Sequence, residues 1–262
     1  MRIACLCENT PYSDSFYFEH GLSLYIETAE NKILFDMGQS DVFIKNANLL
    51  GIDLSKADTA VLSHGHYDHG GGISDFLKAN ASAKVYMSSG AFGEYFNASG
   101  KYIGLDPALM SSDRIVFTED SCRLSENAEL FSCNEKERIY PTDSAGLTVR
   151  LNGKFLPDEF LHEQYLRIRE NGKTYLISGC SHKGVLNILN WFRPDVFVGG
   201  FHFMNRDASD DDPVLCAAAK VLRESGCTYY TCHCTGVGQY RILKSKVGEN
   251  LHYLSSGQKI EI

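Results

Sequence analysis

The sequence predicts a layered α/β architecture, with β-sheets at the centre and helices packed outside them. Three observations carry this reading. Short apolar or β-branched runs bounded by turn residues recur in both halves of the chain. Stretches of helical length and pattern stand between several of them. An Asn171-Gly172 pair joins two runs in the manner of a β-hairpin.

Taken in order, residues 2–7, 22–27 and 32–36 read as strands. Asp41 to Leu50 reads as a helix that stops at Gly51. Residues 58–63 form a buried-type strand that runs straight into a histidine cluster. Gly70-Gly71-Gly72 then turns the chain into a short helix near 73–80. The stretch 90–145, carrying Gly, Ser, Asn and Pro, reads as the least regular part and as a source of substrate loops. Residues 164–170 and 173–178 are the hairpin. Helices are expected at 184–191 and 212–225, and strands at 195–199, 228–232 and 251–254. In the second of these helices Val214, Leu215, Ala218 and Leu222 have core spacing.

Composition narrows the function classes. The 262 residues are 44% hydrophobic, ample for a large core. The net charge of −8 and the lack of a basic run argue against a nucleic-acid partner. The apolar start, Ile3 to Cys7, is too short for a signal-peptide core. No run approaches the roughly 18 apolar residues of a membrane span. A soluble, cytoplasmic protein is expected. Nine cysteines without a secretion signal are expected as reduced thiols. The pairs Cys5/Cys7 and Cys232/Cys234 lack the C-x-x-C spacing of zinc and redox motifs.

The chemistry concentrates in His64-Gly65-His66-Tyr67-Asp68-His69. Imidazole and carboxylate suit Zn, Mn or Fe. His64 and His66, two apart in an extended loop, point the same way. Asp68 and His69 are adjacent, and a tight turn aims them at a second point nearby. One loop can thus serve two metals about 3.5–4 Å apart. The glycines that follow permit close backbone approach.

This H-x-H-x-D-H motif resembles the signature of the metallo-β-lactamase superfamily. Glu19-His20-Gly21-Leu22-Ser23, Leu34-Phe35-Asp36-Met37-Gly38, Ser178-Gly179-Cys180-Ser181-His182 and His233-Cys234-Thr235-Gly236 are similar to one subgroup, the dihydropterin ribofuranosylaminobenzene-phosphate synthase-like proteins. The matches run from about residue 9 to about residue 240, so residues 1–262 read as a single domain. The resemblance implies an αββα sandwich of two mixed β-sheets with external helices and a site on loops at one edge. It implies His64, His66 and His182 as ligands of one metal, and Asp68, His69 and His233 as ligands of the other. Two divalent transition-metal ions are expected, with Zn preferred over Mn or Fe. Asp36 is expected to brace the ligand loops, and Asp68 to orient the nucleophile as well.

The chain departs from the superfamily pattern twice. Cys180 stands where a bridging Asp is usual, as a ligand or a buried structural cysteine. The usual H-T-x-G-H segment is absent, and His162 lies near its place as ligand, brace or surface residue. His202, after a buried strand, is a candidate catalytic group, and His20 a weaker one. His252 reads as structural. Tyr67, Lys183 and Arg206 are candidates to contact a small-molecule substrate, one with an anionic group included. The expected function is a metal-dependent hydrolase acting on an ester, thioester, lactone or phosphoester. The subgroup label suggests instead a pterin or phosphoribosyl-aromatic synthase-type transferase. An iron-dependent oxidoreductase and a metal-bound ligand sensor complete the field.

Overall fold

The first strand shows why the molecule is layered. In β1 (Arg2–Cys7) the residues from Ile3 to Cys7 are all buried. Side chains alternate across a strand, so a strand apolar on both faces needs a packed layer on each. A computed structural model describes residues 1–142 and 144–262.

The first half of the chain supplies β1, β2 (Ser23–Glu27), β3 (Lys32–Phe35), α1 (Val42–Leu49), β4 (Thr59–Val61), α2 (Tyr67–Gly70), α3 (Ile73–Ala79), β5 (Lys84–Ser88), β6 (Tyr95–Phe96), β7 (Ile115–Thr118), β8 (Ser121–Arg123) and β9 (Ala128–Phe131). The second supplies β10 (Thr148–Leu151), β11 (Lys154–Pro157), β12 (Tyr165–Glu170), β13 (Lys173–Ile177), α4 (Val185–Phe192), β14 (Val196–Val198), α5 (Pro213–Glu224), β15 (Thr228–Thr231), α6 (Val237–Val247), β16 (Leu251–Tyr253) and β17 (Lys259–Glu261).

Two seven-stranded mixed sheets form the centre, ordered β17-β1-β2-β3-β4-β5-β7 and β16-β15-β14-β13-β12-β9-β8. In the first, β3, β4, β5 and β7 run parallel. In the second, β13 to β16 run parallel. Ile3, Cys5, Ile33 and Phe35 meet Leu166, Ile168, Tyr175 and Val198 between the sheets. Ala4, Leu6 and Leu34 face Phe43 of α1 and Phe76 of α3. Leu176 and Phe197 face Ile188 of α4, Leu215 of α5 and Leu243 of α6. Three apolar layers between helix, sheet, sheet and helix are the expected αββα sandwich.

Four differences from the sequence reading stand out. The stretch 90–145 is more regular than expected, because β7, β8 and β9 lie in it and join the two main sheets. β7 and β8 are edge strands, and short half-buried runs such as Ile115–Thr118 show little contrast to loops. The hairpin of β10 and β11 pairs with β6 in a separate three-stranded sheet. Helix α6 escaped notice because its apolar positions are sparse; Leu243 and Val247 are its buried hydrophobics. Val214 is 40% exposed, not core. No helix among the described residues is long and apolar enough to cross a membrane.

The topology places the histidines. The loops that follow β3, β4, β13, β14 and β15 carry Asp36, the H-x-H-x-D-H run, Cys180 and His182, His202, and His233. Each lies just beyond the carboxyl end of a parallel strand, where ligand sites of open α/β sheets form.

Candidate metal centre

The loop after β4 is held from below by one carboxylate. Asp36, fully buried, accepts the Ser63 N–H at 2.7 Å and the Ser63 hydroxyl at 2.7 Å. It also accepts His69 Nδ1–H at 2.7 Å. The Ser63 oxygen in turn accepts from His64 Nδ1 at 2.8 Å. A carboxylate only accepts, so this chain holds a proton on Nδ1 of both His64 and His69 and turns their Nε2 atoms inward. Between the first two histidines, a Cβ on Gly65 would lie 2.0 Å from the Ala91 carbonyl oxygen. Only glycine permits that approach. The single turn of α2 then presents Asp68 and His69.

The six ligands expected from the resemblance converge, all buried. His64, His66 and His182 bring one nitrogen each within 4.8 Å of one another. His64 Nε2 faces His182 Nε2 at 3.3 Å. On the other side, His69 Nε2 lies 3.2 Å from His233 Nε2, and Asp68 Oδ2 lies 3.7 and 3.4 Å from them. Asn9 Oδ1 accepts from His233 Nδ1 at 2.7 Å, so His233 Nε2 turns inward as well. Two imidazole nitrogens at 3.2 Å need a cation between them, a proton or a metal ion. Tetrahedral donors at the usual Zn–N length of about 2.0–2.1 Å are about 3.3 Å apart, which these spacings match. His66 Nε2 is a buried polar atom without a hydrogen-bond partner among the described residues, a costly state in a centre without an ion. The donors fit two transition-metal ions.

Charge agrees with geometry. Burial lowers the His66 pKa to about 3 and that of His233 to about 4, which keeps both imidazoles neutral. Burial also opposes charge on His69, yet the carboxylates of Asp36 and Asp68 outweigh it and raise its pKa to about 9. This side of the centre therefore favours a positive charge. Burial would raise the Asp68 pKa, but the charge of His69, with the hydrogen bond from His20, holds it well below the usual range. Asp68 is an ionised carboxylate.

The remaining candidates separate. Cys180 Sγ lies 3.2 Å from His69 Nε2, and within 4.8 Å of ligand atoms from both sets. His162 is buried but used at both nitrogens: Nδ1 accepts the Gly65 N–H at 2.9 Å, and Nε2 pairs with Asp158 at 3.1 Å. Tyr95 stacks on its ring at 4.0 Å. It braces the ligand loop. His20 is exposed and touches Asp68 Oδ2 at 3.3 Å. His202 stands beside His182, ring centroids 4.3 Å apart. Tyr67 lines the cleft over the centre, and Arg206 lines an adjoining cavity. His252 stacks on Tyr230, as a structural residue does.

Lys183 corrects the sequence reading. It is fully buried, and its ammonium donates to the carbonyls of Ser132 and Glu163 and to Asn134 Oδ1. Burial lowers its pKa to about 8. It is a brace with no access to a substrate. Its partner Glu163 escaped the sequence reading, as did Glu8 and Asn9. Glu163 accepts the N–H groups of His182 and Lys183, and Glu8 accepts that of His233. Nothing marks these in sequence except nearness to a motif. Asp36, Ser181, His202 and His233 all have left-handed φ, between 49° and 59°, and such strain clusters at functional sites.

Comparison with known proteins agrees with this geometry. The Metallo-beta-lactamase superfamily profile matches residues 17–192. The crystal structure of Tm1679, described as a metal-dependent hydrolase of the beta-lactamase superfamily, is 31% identical. It superposes with a TM-score of 0.85 over 100% of this chain and 99% of that one. A Methanocaldococcus jannaschii protein named 7,8-dihydropterin-6-methyl-4-(beta-D-ribofuranosyl)-aminobenzene-5'-phosphate synthase is 26% identical over 100% of this chain and 96% of its own. An uncharacterized protein of the same organism is 27% identical over 89% of this chain and 90% of its own. With its histidine loop, its sandwich and these relatives, the chain belongs to the metallo-β-lactamase superfamily.

Proposed function

We propose that the chain, acting as one domain, is a metal-dependent hydrolase with two metal sites, His64/His66/His182 and Asp68/His69/His233. The observation that carries the reading is the convergence of buried imidazole nitrogens and the Asp68 carboxylate at metal-ligand spacing. Two bound transition-metal ions, with Zn preferred over Mn or Fe, would supply Lewis acidity and a water of lowered pKa. Asp68, ionised and in contact with the cleft, is the residue that would orient the attacking water. His202, across the same cleft, donates a proton to the leaving group. Asp36 and Ser63 keep the two imidazoles in the ligating tautomer. Esters, thioesters, lactones and phosphoesters suit this arrangement. The full-length relative named as a synthase supports a second reading, transfer to an acceptor other than water.

Elemental analysis after anaerobic purification, with turnover of ester and phosphodiester panels, tests the proposal. Up to two transition-metal ions per chain and hydrolysis of at least one class are expected. No bound metal, and no uptake of Zn, Mn or Fe on titration, would refute it. Metal with no hydrolysis would move the reading to transfer.

A further inference from the structure

A second cavity adjoins the metal cleft. The cleft has a volume of about 320 Å³ and its neighbour about 340 Å³, and they share His182, His202 and Asn205 as walls. Phe201, Phe203, Val185 and Leu186 give part of the neighbour's wall an apolar surface. Among the described lining residues, Arg206 carries the one full charge.

Arg206 is held in place rather than waving in solvent. Its Nε donates to both Asp212 oxygens at 3.2 Å. Asp212 is itself fixed by capping α5, where it accepts from Val214 N and Leu215 N at 2.9 and 2.8 Å. Gln239 of α6 donates to the carbonyls of Met204 and Arg206, which pins the backbone. Among the described residues, no hydrogen bond occupies the two terminal amino groups of the guanidinium. A fork with two free donors and a set orientation suits bidentate contact with an oxyanion.

We propose that this side pocket binds an oxyanion group of the substrate, a phosphate monoester or a carboxylate, through Arg206. The reacting bond then lies in the metal cleft, so the inference rests on the hydrolase reading for that half alone. The substrate class is an ester with an anionic arm set off from the scissile bond by an apolar spacer.

Two readouts test it, on the purified full chain and on Arg206→Gln and Arg206→Lys, with metal content and melting temperature measured on every sample. The first is calorimetric titration with inorganic phosphate. Arg206→Gln is expected to weaken the tightest phosphate site at least tenfold, about 1.4 kcal/mol, with Arg206→Lys between it and the wild type. The second is the ratio of kcat/KM for mono-4-nitrophenyl glutarate and 4-nitrophenyl butyrate. That ratio is expected to exceed one in the wild type and to fall at least tenfold in Arg206→Gln. Phosphate affinity independent of residue 206 overturns the pocket. So does an equal loss in both variants accompanied by a lower melting temperature, which assigns Arg206 a structural role. Samples that bind phosphate through Arg206 but hold no metal leave the pocket standing and sink the hydrolase reading.

Discussion

Asp36→Asn is the most informative single substitution, because one buried carboxylate bonds, directly or through Ser63, to a histidine of each proposed metal site. The side chain keeps its shape, and asparagine tolerates the left-handed φ of +57° at this position. What changes is the hydrogen-bond polarity. Asp36 accepts three donors: Ser63 N, Ser63 Oγ and His69 Nδ1. Asparagine has one accepting oxygen and one donating amino group, so at least one amino hydrogen faces a former donor. If the oxygen stays on Ser63 N, the amino group meets Ser63 Oγ and His69 Nδ1. His69 then moves its proton to Nε2 and aims an N–H at His233. Ser63, now an acceptor from the new amide, donates to His64 Nδ1, which moves that proton to Nε2 too. Neither ligand then offers a metal its Nε2 lone pair. Loss of such an outer carboxylate costs about 10- to 100-fold in metal affinity, or about 1.4 to 2.8 kcal/mol. A poorly satisfied buried donor costs the fold about 1–3 kcal/mol. Competition against a chromophoric chelator measures the affinity of both sites, and circular dichroism shows that the variant is folded. Affinities within twofold of wild type at both sites would refute the tautomer argument.

Two further outcomes follow from the same geometry. Asp68→Ala should abolish turnover on the best substrate while the circular dichroism spectrum persists, because the core is built by the strands; full turnover would refute the role of Asp68, and the melting temperature should change only by the lost metal stabilisation. His182→Ala should lose one metal, since it leaves two donors in its set, whereas Cys180→Ala should keep both, since each set retains three; metal-to-protein ratios measured side by side decide, and loss from the Cys180 variant would make the thiol a ligand.

The sequence by itself determined the layered class, most strands and helices, and the centre of the site. Strong β patterns bounded by turn residues are local signals, and His64, His66, Asp68 and His69 were legible as candidate ligands because their residue types have few other uses at that spacing. Resemblance supplied the pairing of His182 and His233 with the early motif, across 118 and 164 positions, which no local pattern encodes. Tertiary structure alone decided the rest. It turned His162 and Lys183 into braces, because whether a histidine or lysine meets a metal, a substrate or a buried carboxylate depends on what the fold packs against it. It recruited Glu8, Asn9 and Glu163, whose side chains satisfy loop groups far away in sequence. It also joined the cleft to the Arg206 pocket. Hydrophobic alternation tells a strand which face is inside; only the packing of two sheets brings the ends of β3, β4, β13, β14 and β15 to one edge, where distant polar groups meet and fix one another's protons.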